Sequence, residues 1–95
     1  ARAAPPKPIP AAASAATIAK GKQVFGNNGC GGCHTLADAG AAGGIGPAFD
    51  GNPGLSAAEI FGTIHDGRAA MPSFAGQITD PDIRAVAAYI VSARK

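Results

Sequence analysis

The stretch CGGCH, from Cys30 to His34, holds both cysteines of this 95-residue chain and a histidine directly after the second. Two cysteines separated by two residues occur in disulfides, in zinc sites, in dithiol redox pairs and in the attachment motif of c-type haem. Each of these would give the chain a different chemistry and a different source of stability. The rest of the sequence discriminates between them.

Zinc, dithiol and disulfide interpretations fit this motif poorly. A closed zinc site needs four ligands, and the candidates are Cys30, Cys33, His34 and His65. The adjacent residues Cys33 and His34 would rarely converge on one metal, and His65 stands alone. A thioredoxin-like dithiol needs a βαβ context that is absent here. A plain disulfide leaves the histidine without a role.

The pattern C-x-x-C-H is the attachment motif of c-type haem. In that chemistry the two thiols add to the two porphyrin vinyl groups, and the next residue, His34, is held beneath the iron as an axial ligand. Gly31 and Gly32 place no side chain against the porphyrin edge. The motif therefore favours one haem c bound through Cys30 and Cys33, although five-residue motifs also arise by chance.

The composition suits a small domain that is stabilised by a cofactor. The chain has four Phe, one Tyr and no Trp, whereas Gly and Ala are abundant. Small domains bury a modest fraction of their surface and often need a metal, a disulfide or a cofactor. A large, flat, apolar group would supply the missing core volume.

Charge and hydropathy argue against a nucleic-acid partner and against a membrane-spanning segment. The formal net charge is +2, and Arg2 and Lys7 in the first ten residues account for it. Without a basic stripe we expect no nucleic-acid partner. No apolar run approaches the ~20 residues of a membrane span.

Two regions are predicted, a Pro/Ala-rich flexible arm or linker at residues 1–14 and a domain at residues 15–95. The arm has four prolines, which favour an extended polyproline-like path. Such an arm can tether the domain to a membrane anchor or to a neighbouring domain.

The predicted fold class is all-α, with three main helices and long loops. The first helix should run from just after Ser14 to about Asn27, and Gly21 within it costs roughly 1 kcal/mol relative to Ala. Residues 35–54 have many glycines and little periodicity, which predicts a loop. Strand signals are weak throughout the chain.

The second and third helices have recognisable start signals. Ser56 and Glu59 form a capping box, and this helix should end near Ile64. The third helix is predicted to begin with Asp80 as its cap and Pro81 at the first helical position. Its apolar stripe consists of Ile83, Val86, Ala87, Ile90 and Val91.

The single methionine, Met71, lies in a loop between these two helices, directly before Pro72. Methionine is usually a flexible core filler, but a loop position followed by a proline suits a ligand better. His65 is the competing candidate for the second axial position of a haem iron.

From about Ile18 to Arg94 the chain resembles the class I c-type cytochromes, small monohaem electron carriers with the cytochrome c fold wrapped around one covalent haem. Motifs in the family's order carry the resemblance. They are the Gly21/Phe25 pair, CGGCH, GPAF at Gly46–Phe49, HDGRAAMPSF at His65–Phe74 and AVAAYIVS around Tyr89.

The resemblance implies roles for individual residues. Cys30 and Cys33 are the thioether anchors, and His34 and Met71 are the proximal and distal iron ligands. Pro47 is expected to accept a hydrogen bond from the ligand imidazole through its backbone carbonyl, which fixes the ring orientation.

Further roles follow for the surroundings of the haem. Phe49 stands where many members have leucine and should bring a ring near the haem. Arg68 matches a position that approaches a haem propionate, although a solvated surface arginine is an equal alternative. Gly21 and Phe25 should pack against Tyr89. The expected apolar shell consists of Leu36, Ile45, Phe49, Ile64 and Phe74.

The resemblance implies an electron-transfer protein, not an enzyme, because an iron bound by His and Met has no open position for a substrate. It implies redox protein partners, including a membrane oxidase or dehydrogenase of a respiratory chain, and a periplasmic or otherwise extracytoplasmic location. Two alternatives stay open. One is a haem enzyme or gas- or peroxide-binding protein with a labile Met71, and the other is the cytochrome domain of a larger oxidase or dehydrogenase.

The charge distribution predicts how partners dock. From Gln23 to Ala58 there is no Lys or Arg, and Asp38 and Asp50 are the only charged residues. We expect a small apolar docking surface and partner rates that change weakly with salt.

Overall fold

Three α-helices form the frame of the computed structural model, which describes residues 14–46, 48–69 and 71–95. The element bounds are α1 Ala15–Asn27, α2 Ala57–Asp66 and α3 Asp80–Ala93, with 3-10 turns at Cys30–Gly32 and Ala37–Ala39. The predicted all-α class with three helices is confirmed. Of the predicted arm, only Ser14 lies within the described residues, so the assignment of residues 1–14 as an arm stays a prediction.

A pair of two-residue strands was not predicted. β1 (Thr35–Leu36) and β2 (Ala41–Ala42) are antiparallel, with Thr35 opposite Ala42. They fall inside the stretch that its glycines predicted to be loop. Each strand has two residues, which is too short for an alternating pattern of apolar and polar positions to be recognised in the sequence.

α1 begins just after Ser14, as predicted, and α2 has the predicted capping box. The Ser14 hydroxyl accepts a hydrogen bond from the Thr17 amide at 3.2 Å. At α2, the Glu59 amide donates to the Ser56 hydroxyl at 3.1 Å, and the Ser56 amide donates to the Glu59 carboxylate at 3.3 Å. α2 continues to Asp66, past the expected end near Ile64.

The start of α3 differs from the prediction by one residue. Thr79 is the cap, and its hydroxyl accepts a hydrogen bond from the Asp82 amide at 3.4 Å. Asp80 is therefore the first helical residue and Pro81 the second. Threonine and aspartate are both good caps, and here the Asp80 carboxylate lies instead 3.7 Å from Nε2 of His65.

α1 and α3 cross at Gly21. A Cβ at this position would lie 2.6 Å from Cβ of Tyr89 and would also clash with the carbonyl oxygen of Ala85. Next to this contact the rings of Phe25 and Tyr89 pack edge to face, with their centroids 6.0 Å apart. The close approach of the two backbones explains why a helix keeps a glycine there, and it confirms the predicted packing.

The core lies between the three helices and the loop that follows the cysteine motif. Its buried apolar residues are Val24, Phe25, Leu36, Phe49, Ile60, Phe61, Ile64, Ile78, Ile83, Val86, Ala87, Tyr89 and Ile90. Of the expected shell, Leu36, Phe49 and Ile64 are buried and Phe74 packs against them. Ile45 is 78% exposed on a glycine-rich loop and lies outside the protein core, so its place in a shell around the haem stays a prediction.

Polar contacts fix the loop at residues 49–55 to the end of the chain. The Arg94 guanidinium donates hydrogen bonds to the carbonyls of Leu55 at 2.6 Å and Pro53 at 3.1 Å. The Asp50 carboxylate accepts from the amides of Ala37 at 2.8 Å and Lys95 at 2.9 Å. A loop that lacks periodicity is thereby held in one place.

The described ranges include no helix with the length and hydropathy needed to cross a membrane.

Candidate haem site

The CGGCH motif forms a tight turn directly after α1. The amides of Cys33 and His34 both donate to the carbonyl of Cys30, at 3.2 and 3.1 Å. Gly29, with φ of 71°, reverses the chain before the turn. Both thiols are free, with Cys33 exposed and Cys30 half-buried, and burial raises the pKa of the Cys30 thiol. One turn therefore presents two thiols and the imidazole that follows them.

The imidazole of His34 is buried between an aromatic ring and a glycine. It is 8% exposed, and the Phe49 ring stacks on it with centroids 4.6 Å apart and planes 21° apart. On another side Gly46 approaches so closely that a Cβ would lie 2.8 Å from Nδ1. The structure therefore brings Gly46 and Phe49 against His34. The expected position of Phe49 near the haem stays a prediction.

Two backbone hydrogen bonds hold Gly46 and Phe49 in this position. The Gly46 amide donates to the carbonyl of Cys33 at 2.7 Å, and the Phe49 amide donates to the carbonyl of Thr35 at 3.0 Å. Pro47, between them, lies outside the described residues, so the role of its carbonyl stays a prediction. The flanking bonds show that its neighbours run alongside the chain that carries His34.

Gly31 of the motif and Gly43 outside it have packing roles that sequence reasoning missed. A Cβ on Gly31 would lie 2.9 Å from Cβ of Ala41, so this glycine lets the turn pack against β2. Likewise, a Cβ on Gly43 would lie 2.6 Å from the amide nitrogen of Cys33. Spacing along the chain gave no signal for these contacts, because they join segments that meet only after folding.

Met71 is half-buried and packs against the hydrophobic core. Its amide donates to the carbonyl of Arg68 at 2.9 Å, and the Arg68 amide donates back to the carbonyl of Met71 at 3.0 Å. Gly67, with φ of 79°, starts this turn at the end of α2. The backbone of Met71 is thus fixed, whereas the Arg68 side chain is exposed and its approach to a propionate stays a prediction.

His65, the competing ligand, is engaged elsewhere. Its Nδ1 lies 2.8 Å from the Asp66 carboxylate and its Nε2 lies 3.7 Å from the Asp80 carboxylate. Its ring also stacks on Phe61, with centroids 5.8 Å apart. Two ring nitrogens that face carboxylates argue against His65 as an iron ligand.

The residues present suit a covalent haem better than a metal ion alone. Within the described part of the chain, no group of three or more His, Cys, Asp or Glu side chains is placed to hold a metal ion. The donor set is instead two thiols and an imidazole on one turn, with a thioether packed on the same core. A haem c needs thiols for its covalent attachment, and its iron can be bound by a nitrogen donor and a sulfur donor.

Comparison with known proteins supports this assignment. The family described as cytochrome C oxidase, cbb3-type, subunit III matches residues 16–90. Cytochrome c6 of Synechocystis is 37% identical over 86 residues, which cover 83% of this chain and 68% of that protein. Cytochrome c6 of Thermosynechococcus vestitus is 37% identical over 91 residues, which cover 84% of this chain and 73% of that protein.

The chain is a class I c-type cytochrome. Solved structures agree with this. The c-type cytochrome SorU from Sinorhizobium meliloti superposes with a TM-score of 0.77 and 32% identity, over 84% of this cytochrome and 93% of SorU. Cytochrome c6 from the diatom Phaeodactylum tricornutum gives a TM-score of 0.62 and 30% identity, over 79% of this cytochrome and 91% of that protein. The protein therefore has the cytochrome c fold, carries covalent haem c and transfers electrons.

Proposed function

We propose that this cytochrome carries single electrons between redox proteins, with His34 and Met71 as the axial ligands of its haem iron, and that it is not an enzyme. The observation that carries the proposal is the placement of the two side chains. His34 is buried on the cysteine turn, and Met71 packs on the same core from a loop whose backbone is fixed.

Different residues of the protein attach the cofactor, orient its ligand and exclude water from it. Haem c, when bound, supplies an iron centre that changes oxidation state by one electron. Cys30 and Cys33 hold it covalently, while Phe49 and Gly46 keep the His34 ring in one orientation. Buried apolar side chains exclude water from this region, which favours a positive potential because the ferric form carries more charge. With His34 and Met71 both bound, no position is open for a substrate.

Substitution of Met71 tests the ligation. In the haem-loaded protein the ferric iron–sulfur charge-transfer band should vanish in Met71→Ala, and the reduction potential should fall, because a Met/His pair raises the potential. The matched control is His65→Gln, which should keep the band. Potentiometric titration with optical spectra measures both quantities. A wild-type protein that is high-spin and binds carbon monoxide tightly would support the alternative with a labile Met71.

The description of the matching family favours a second candidate, in which the chain is the cytochrome part of a larger respiratory oxidase. That family is described as subunit III of a cbb3-type cytochrome c oxidase. The mass of the native gene product, together with co-purification from membranes, separates a free carrier from an oxidase component.

Partners and location follow from the same chemistry. Bacterial thioether attachment takes place outside the cytoplasm, so we place the protein in the periplasm or another extracytoplasmic space, with residues 1–14 as its tether. Its docking surface would be the uncharged region that contains the exposed residues Cys33, Gly44 and Ile45. A membrane oxidase or dehydrogenase is a suitable partner.

A further inference from the structure

The segment that carries Met71 is hydrogen-bonded to the last turn of α2. The Phe74 amide donates to the carbonyl of Ile64 at 3.0 Å, and the Ala75 amide donates to the carbonyl of His65 at 3.2 Å. The Ser73 hydroxyl also donates to the His65 carbonyl, at 2.6 Å. The last carbonyls of a helix have no partner within it, and here the Met71 segment satisfies two of them.

The side chain of the same histidine fastens that turn to α3. The His65 ring lies between the carboxylates of Asp66, 2.8 Å from Nδ1, and Asp80, 3.7 Å from Nε2. It stacks on Phe61 one turn earlier in α2, and the side chain is only 19% exposed. The ring therefore joins the end of one helix to the start of the next.

The end of each helix places these two residues next to each other. A histidine in the last turn of α2 lies near the negative end of that helix, and Asp80 in the first turn of α3 lies near the positive end of the other. Since Thr79 provides the cap of α3, the Asp80 carboxylate is available to His65. Asp80 is thus placed where its helix stabilises the charge of its carboxylate.

We propose that His65 is a positioning residue for Met71. Its ring fixes the last turn of α2, its carbonyl holds Ser73 and Ala75, and together they determine how often the Met71 segment moves away from the iron. The inference rests on the proposed ligation of the iron by Met71. His65 itself does not touch the iron.

The experiment compares haem-loaded His65→Gln with the wild type by two measurements. The first is native-state hydrogen exchange of the Phe74 and Ala75 amides, which reports local opening. The second is the limiting rate at which excess imidazole displaces Met71 from ferric iron, read from the loss of the iron–sulfur band. We expect the exchange rate of the two amides and the rate of displacement by imidazole each to rise about fivefold in His65→Gln, because one hydrogen-bonded contact is lost.

Two further variants separate positioning from general stability. Arg94→Gln removes the contacts with the carbonyls of Leu55 and Pro53 at the far end of α3. It should lower the global stability and leave both rates unchanged. Asp80→Asn keeps the Thr79 cap and should raise both rates by less than His65→Gln does. If His65→Gln fails to take up haem, Asp80→Asn decides the outcome alone.

The outcomes are distinguishable. If His65→Gln accelerates exchange of Phe74 and Ala75 no more than that of core amides such as Phe25, or if the imidazole rate is unchanged, the positioning role is wrong. If the wild type lacks the iron–sulfur band, ligation by Met71 fails, whereas the exchange measurement still decides whether His65 holds the segment.

Discussion

The phenol of Tyr89 on α3 donates a 2.6 Å hydrogen bond to the carboxylate of Asp38, a residue of the loop behind the cysteine motif. Tyr89 is 1% exposed, and Asp38 also lies 3.6 Å from Nζ of Lys22 on α1. The hydrogen bond lowers the pKa of Asp38, and burial raises the pKa of Tyr89. Two contacts of Asp38 thus tie the loop after the cysteine motif to both crossing helices.

Removal of this hydroxyl should destabilise the protein. Tyr89→Phe leaves the ring in place but removes the hydrogen bond of the buried hydroxyl, so the free energy of unfolding should fall by about 0.5–1.5 kcal/mol. Urea unfolding of the haem-loaded protein measures this change. Lys22→Gln, which removes only the exposed ion pair, should have an effect near zero. Equal effects of the two substitutions would contradict the assignment of the main contact to Tyr89.

Acid should destabilise the protein through Asp38 and Asp50. The amides of Ala37 and Lys95 lower the pKa of Asp50, and the Tyr89 hydroxyl lowers that of Asp38. A depressed folded-state pKa stabilises the fold above the unfolded value of about 3.9, and this contribution is lost as the pH falls through the folded value. The free energy of unfolding should therefore decrease below about pH 4. Asp50→Asn should make that decrease shallower, and an unchanged slope in urea titrations would count against it.

Substitution of two glycines of α1 by alanine should change the stability of the protein in opposite directions. Gly21→Ala places a Cβ against Ala85 and Tyr89, so it should cost about 1–3 kcal/mol through overpacking. Gly26→Ala meets nothing within 4 Å and should stabilise the helix by roughly 0.5–1 kcal/mol. Both changes add the same methyl group to the same helix. Thermal unfolding of the haem-loaded variants measures the difference, and effects of the same sign would refute the close crossing.

A similar pair of glycines tests the packing of His34. Gly46→Ala would put a Cβ 2.8 Å from Nδ1, so the imidazole must move. We expect a lower yield of haem-loaded protein or an altered ferric spectrum. Gly44→Ala, with nothing within 4 Å, is the matched control and should behave as the wild type. Normal haem uptake and a normal spectrum in Gly46→Ala would show that the ring does not depend on this glycine.

Electron transfer to a partner should depend weakly on ionic strength. The proposed docking surface at Cys33, Gly44 and Ile45 has no charged residue of its own, and Ile45 is 78% exposed. Stopped-flow rates with a redox partner should change little between low and high salt. Ile45→Lys should introduce a clear salt dependence. A steep decline of the wild-type rate with salt would show that charges outside this surface steer docking.

Much of the helical frame was predictable, because its signals are local. The caps at Ser14 and at Ser56 with Glu59 act over three residues, a distance that the sequence shows directly. At α3 two good caps stand side by side, and sequence alone selected Asp80 where the structure uses Thr79. In the structure the Asp80 carboxylate lies 3.7 Å from Nε2 of His65 on another helix, a contact that the sequence does not show.

By itself the sequence determined the cofactor and its attachment, because CGGCH is a local chemical pattern whose residues are neighbours in the chain. It also determined the helices, whose apolar periodicity and caps are short-range. Only the tertiary structure decided that Gly46 lies against His34 and that Asp38 meets Tyr89. These contacts join distant segments through loops without periodicity, so they exist only once the helices have packed and brought the loops together.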